Sequence, residues 1–204
     1  MQLFKNLISC LRKDNKKEKP FSKIIFMEFK KSETEWDNYF FKPLISGIFK
    51  VKSTFNSGKE EFFTIIVKTN FILSLDVVVY DAQGNLLKNT HIMSEIKQLN
   101  LNEFYLFFTR IDSQDPQYLG YGFGRLMMEA MFYTLYEYAK ENDLNFLYLQ
   151  GSVGINAEDT PEKSIKLYSS FDKFKFGNYI IRVEKETLNI SDKNIYYKME
   201  KEAI

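Results

Sequence analysis

The chain has 204 residues, 28 Lys and Arg against 27 Asp and Glu, and a formal net charge of +1, so no global field draws it toward nucleic acid or an anionic membrane. One cysteine, Cys10, leaves no intramolecular disulfide within these residues, and one histidine, His91, argues against a zinc centre or a Ser-His-Asp triad. With 45% hydrophobic and 17% aromatic residues, the length suits one α/β unit with a bulky core in a reducing, cytoplasmic setting.

Residues 1–20 read as an amphipathic and basic N-terminal extension. Leu3, Phe4, Leu7, Ile8 and Leu11 share a helical face, and a mainly basic polar run follows. A packed helix with a linker is preferred to a membrane-surface segment. The apolar face is too short for a signal peptide, and no later run approaches about 18 apolar residues, so no transmembrane segment is expected. Residues 21–204 are expected to form a single domain.

SKIIFMEFKK predicts a strand with Ile24, Phe26 and Glu28 on one face and Ile25, Met27 and Phe29 on the other. Ser32 to Phe41 suits a short helix with Trp36 as a packing residue. GIFKVKSTF, EFFTIIVKT and LSLDVVVYD then read as antiparallel strands, punctuated by Asn56-Ser57-Gly58 and Thr69-Asn70. A turn at Asp81 to Asn85 leads into LLKNTHI, where His91 reads as a surface or hydrogen-bonded residue and not as a general base.

The most informative stretch follows. FYLFFTRI (Phe104 to Ile111) predicts a buried strand, and DPQYLGYGFGR then places Gly120, Gly122 and Gly124 within five residues. Helical periodicity starts at once, with Met127, Ala130, Met131, Thr134, Leu135 and Tyr138 on one face. Strand, glycine loop and helix together suit a phosphate, because glycine lets the backbone come close and the first amides of a helix are unpaired.

Three phosphate or nucleic-acid motifs fit poorly. The spacing is G-x-G-x-G, not the dinucleotide G-x-G-x-x-G, and Arg125-Leu126 supplies no P-loop Lys-Ser/Thr. Gly120-Tyr121-Gly122-Phe123 matches the centre of an RNA-recognition octamer, but Leu119, Gly124 and Leu126 break its ends, and a helix is expected where that motif needs a strand.

PQYLGYGFGRLM instead resembles the acetyl-CoA-binding loop of the GCN5-related N-acetyltransferase (GNAT) family, often P-x-Y-R-G-x-G-[IV]-G-x-x-L with the core [QR]-x-x-G-x-G/A. One register starts at Gln117 and uses Gly120 and Gly122. The other starts at Leu119, uses Gly122 and Gly124, and is preferred because Pro116, Tyr118 and Met127 then also match. It places Leu119 where the family has Gln or Arg.

A second motif follows about 45 residues later. LNFLYLQGSVG predicts a buried strand from Phe146 to Gln150, and Thr160-Pro161 starts a helix reading SIKLYSSFDKFKFG. There Ser164-x-x-Leu167-Tyr168 is similar to the family's A-x-x-L-Y. YIIRVEKET and NIYYKMEKE close the chain as two strands joined across Asn189 to Asn194.

The resemblance covers roughly Leu99 to Met199. It implies an α/β fold with a mixed, mostly antiparallel central sheet flanked by helices and with splayed central strands. Residues 21–99 would form the acceptor side and 100–204 the acetyl-CoA side. The implied activity is transfer of acetyl from acetyl-CoA to a primary amine by direct attack in a ternary complex, without a metal and compatible with a homodimer.

Backbone groups of Arg110, Ile111 and Asp112 would hold the pantetheine arm. Leu119, Gly120, Tyr121, Gly122, Phe123, Gly124 and Arg125 would hold the pyrophosphate, with Ser164 at the head of the second motif. Tyr168 would be the general acid, and Glu103 and Asp112 are the carboxylates nearest the expected cleft. A non-catalytic acyl-CoA-binding protein and an RNA-binding module stacking bases on Tyr121 and Phe123 are the alternatives.

Overall fold

The computed structural model describes residues 18–31, 45–70, 74–100, 103–113, 116–152, 166–183 and 194–202. The expected N-terminal helix and the Ser32 to Phe41 helix with Trp36 lie outside them. Among the described residues, ten strands form one sheet: β1 (Phe21–Lys31), β2 (Ile45–Thr54), β3 (Glu60–Asn70), β4 (Ser74–Tyr80), β5 (Leu86–Asn100), β6 (Glu103–Ser113), β7 (Phe146–Ser152), β8 (Lys175–Phe176), β9 (Tyr179–Val183) and β10 (Asn194–Lys201). Their order is β1-β2-β3-β4-β5-β6-β7-β10-β9-β8. β6 and β7 run parallel, and the other described pairings are antiparallel. This is the mixed, mostly antiparallel α/β sheet expected from the sequence.

Antiparallel strands meet through short turns, whereas a parallel pair needs a crossover. The helix α1 (Phe123–Glu141) makes it, leaving β6 and returning to β7. The six residues placed on one face by periodicity are all buried, and so are Leu126, Met128, Phe132 and Ala139. Burial extends round the helix because two layers cover it. One side packs on the sheet, where Phe49, Val51, Phe63, Ile65 and Val67 are buried. Another meets residues 171–176, with Phe132 and Phe171 rings 5.1 Å apart and Tyr133 and Phe176 rings 4.5 Å apart.

Gly47 sets how closely helix and sheet approach. A Cβ there would stand 2.6 Å from both Phe49 Cε2 and Thr134 Oγ1. The Thr134 hydroxyl donates back to the Ala130 carbonyl at 2.9 Å, so this buried polar group is satisfied inside the helix.

Three expectations need correction. The simple alternation assigned to the first strand fails because a bulge lies between Ile24 and Phe26. Ile24 pairs with Val51 and Phe29 with Gly47, so both fall on the core face, while Phe26 opposite Lys50 is 52% exposed. The strand carrying His91 also runs on to Asn100, because MSEIKQLN pairs with the following strand despite its polarity.

The run SIKLYSSFDKFKFG is not one helix. Its described part is helical at residues 166–169, turns through 170–173 and becomes extended at β8. Lys173 takes a positive φ of 63°, and its N–H donates to the Ile181 carbonyl at 2.7 Å, so hairpin pairing takes over where the helix stops. The start at Thr160-Pro161 lies outside the described residues.

Candidate functional site

β6 pairs with β7 from Tyr105 opposite Tyr148 to Phe108 opposite Gly151, and that pairing then ends. β6 continues to Ser113, held on its other side by β5 as far as Thr90. A bulge follows on the β5 side: Ser94 pairs with Phe108 and Met93 with Arg110, which leaves Thr109 as the extra residue. Bulges bend a strand and increase its twist. Arg110, Ile111 and Asp112 therefore lie where β6 has no partner on the β7 side among the described residues. Such an edge offers backbone donors and acceptors to an extended amide-bearing ligand.

The glycine loop lies between the open end of β6 and α1. A 3-10 turn, Pro116–Tyr118, leads into Gly120 with φ 92° and Gly122 with φ 76°. Both values belong to the left-handed region, which a side chain at Cβ disfavours. Gly124 lies inside the helix, in a conformation open to any residue. The conformational need for glycine thus falls on Gly120 and Gly122, the pair of the register that starts at Gln117.

Gly122 caps α1 without a side-chain hydrogen bond, and no acidic residue occupies the first turn. Its carbonyl accepts from the amides of Arg125 and Leu126, both at 3.1 Å. Among the described residues the amides of Gly122, Phe123 and Gly124 have no acceptor. Three adjacent donors at the positive end of a helix form an anion cradle. Space is left for a guest, since a Cβ at Gly122 would meet nothing within 4 Å.

Aromatic packing holds this loop against the start of β3. Phe63 stands 5.4 Å from Tyr118, 5.7 Å from Tyr121 and 4.9 Å from Phe123, ring centre to ring centre. Phe55 adds an edge contact to Tyr121 at 5.8 Å. Phe123 is only 3% exposed, so it cannot serve as a base-stacking platform. The helix after the loop likewise replaces the strand that an RNA octamer needs.

The Tyr121 hydroxyl donates to Glu61 Oε2 at 2.8 Å, and Lys59 pairs with Glu61 Oε1 at 2.6 Å. Burial pushes the Glu61 carboxyl up, but the Lys59 and Tyr121 hydrogen bonds and the Lys59 charge outweigh it and hold it below its ordinary value of 4.5. Burial, and then the same carboxylate, push the Tyr121 phenol up. Glu61 therefore stabilises the fold above about pH 4.5, and its contribution is lost as pH falls through its lower folded value. In thermal melts across pH, the gap between wild type and Glu61→Gln is expected to be full above pH 4.5 and to close below it. A gap independent of pH would show that the charge is irrelevant.

The other site candidates fall in different places. Leu119 is 58% exposed beside the loop and offers no charge. Arg125 lies with its guanidinium 5.8 Å from the centre of the Phe171 ring. Ser164 lies outside the described residues. Tyr168 is 5% exposed in the core on the helical turn 166–169, and its backbone carbonyl accepts from the Tyr197 hydroxyl at 3.2 Å. Burial first, and the neighbouring Tyr168 phenol second, push the Tyr197 hydroxyl well above its ordinary value.

Sequence reasoning passed over two residues that the fold brings to the site. His91 is the register partner of Asp112 across β5 and β6, within the stretch of β6 that has no partner on the β7 side among the described residues. Lys19 lies across Gly120, more than 100 positions away in sequence. Neither proximity has a local sequence signal, because strand register and chain crossing are tertiary.

Parallel strands joined through a glycine loop and helix, within a mostly antiparallel sheet, make the fold implied by the resemblance to the N-acetyltransferases. No family model and no curated protein matches the chain. Two solved structures are similar to it at 20% identity. One is a chimera of Vibrio cholerae spermidine N-acetyltransferase SpeG and hSSAT, with a TM-score of 0.34 over 63% of this chain and 68% of that one. The other is a single-substitution mutant of Vibrio cholerae SpeG, with a TM-score of 0.33 over 64% of this chain and 65% of that one. The chain thus spans about two thirds of the length of each. No described helix is long and apolar enough to cross a membrane.

Proposed function

We propose that the protein transfers an acetyl group from acetyl-CoA to a primary amine by direct attack in a ternary complex. The observation that carries this reading is the coincidence, among the described residues, of two features: three acceptor-free amides at the start of α1 and the stretch of β6 beyond Phe108 with no partner on the β7 side. The amides suit a diphosphate. The edge at Arg110, Ile111 and Asp112 suits the two amides of a pantetheine arm, bound as an added strand.

In the reaction, the amine nitrogen gives its lone pair to the thioester carbonyl carbon, and the carbon–sulfur bond breaks. The ammonium proton must first leave. His91 and Asp112, register partners across β5 and β6, would take it directly or through water. Tyr168 would give a proton to the departing thiolate, and the proton that the attacking nitrogen sheds as the amide forms would restore the phenol.

Thermal melting with acetyl-CoA, followed by a screen of amines for free-thiol release, tests the proposal. Cofactor at about 100 times its Kd should stabilise the fold by about 2.7 kcal/mol, and at least one amine should release thiol in step with its acetylation. Stabilisation without thiol release from any amine would point to an acyl-CoA-binding protein with no transferase activity. The absence of stabilisation would sink the reading.

A further inference from the structure

The glycine loop carries no usable cation of its own. Leu119 is apolar, Gln117 at the head of the register that Gly120 and Gly122 favour is a neutral amide, and the Arg125 guanidinium lies against the Phe171 ring. A lysine from the other end of the chain takes that place. A Cβ added at Gly120 would meet Lys19 Cγ at 3.1 Å and its Cδ and Cε at 3.3 Å. The lysine stem therefore lies on the bare glycine, and its ammonium is one bond further on. A larger residue at position 120 would displace it.

The backbone around Lys19 is held on both sides. Glu18 Oε1 accepts from the Ser57 amide at 3.1 Å, in the turn between β2 and β3, and Pro20 is buried. Among the described residues no carboxylate pairs with Lys19.

This arrangement opposes local stability. A helix start favours negative charge, and an ammonium with no carboxylate partner among the described residues is unfavourable beside it. α1 has no acidic residue in its first turn, no side-chain cap, and the Lys19 stem lying over the glycine two positions before its cap. An anion bound on the free amides would reverse the sign of both terms. Local rules broken in this way mark a ligand site.

We propose that Lys19 supplies the cation for the diphosphate held by the loop at Gly120 to Gly124, in place of a basic residue within the loop itself. This assignment rests on the acetyl-CoA reading above and names a binding residue for it. It makes the segment at residues 18–20 part of the cofactor site.

Calorimetric titration of the full chain with coenzyme A tests it, with S-acetylpantetheine, which has the same arm and no phosphate, as control. Lys19→Met should weaken coenzyme A binding about tenfold, the scale of one charge-assisted hydrogen bond. Its affinity should also depend less on salt than that of the wild type. Lys19→Arg should bind nearly as wild type.

Lys19→Glu should bind more weakly still, while its ligand-free melting temperature holds or rises because a carboxylate suits a helix start. Unchanged coenzyme A affinity in Lys19→Met and Lys19→Glu would overturn the assignment and leave the acetyl-CoA reading intact. Equal weakening toward S-acetylpantetheine would also overturn it, since the lysine would then act through loop shape. A wild type that binds no coenzyme A would sink both.

Discussion

Tyr168→Phe is expected to lower kcat for thiol release about 100-fold, while acetyl-CoA binding stays within about twofold of wild type. The substitution removes a proton donor and keeps the ring that fills the core, where Tyr168 is 5% exposed. The hydrogen bond that ties this turn to β10 uses the Tyr168 backbone carbonyl as acceptor for Tyr197, and the substitution leaves that carbonyl in place.

The comparison that decides the role is kcat against melting temperature. A general acid predicts a large kinetic loss with a small thermal one. A residue that only packs predicts the reverse, and wild-type kcat in Tyr168→Phe would remove Tyr168 from the mechanism. Acceptor amines whose thiol-releasing step is not rate-limiting would mask the loss, so the measurement belongs under single-turnover conditions.

Phe132→Ala is expected to produce the largest loss of stability, about 3 to 5 kcal/mol, and to lower the melting temperature by on the order of 10 °C. Phe132 is fully buried on α1, between Phe171 at 5.1 Å and Tyr197 at 5.3 Å. It links the crossover helix to the turn after the 166–169 segment and to β10. Deleting its ring leaves a cavity that three separate elements cannot close together. A loss below about 1 kcal/mol in denaturant titration would mean that the surroundings collapse freely and that this layer is not close-packed. If the glycine loop is anchored independently through Phe63 and Glu61, coenzyme A affinity below the melting transition should change far less than stability does.

Much of the fold could be read from residues alone. The strands of the N-terminal half show because apolar and polar residues alternate, as in β2, where Ile45, Gly47, Phe49, Val51 and Ser53 turn inward. α1 shows because its buried positions recur at spacings of three and four. Periodicity fails where a single residue is inserted or a hairpin overrides local preference. The β1 bulge after Ile24 shifts every later side chain to the other face, and no residue there announces it. FKFG at residues 174–177 reads as the end of a helix, yet it joins a hairpin whose partner lies on β9.

The site divides in the same way. Gly120 and Gly122 were legible because their left-handed backbone needs glycine, and the helix after them follows from its period. The choice between glycine pairs was not, because it depends on where α1 begins, and a single residue decides that.

By itself, the sequence determined the strand, glycine loop and helix, and with them a row of amides turned toward an anion, since these follow from local backbone preferences and residue spacing. Only the tertiary structure decided what faces that loop. The Thr109 bulge resets the β5–β6 register, that register sets His91 opposite Asp112, Glu61 anchors Tyr121, and the 18–20 segment lays Lys19 over Gly120. Each is a contact between residues distant in sequence, fixed by packing and chain crossing, for which neither residue carries a local signal.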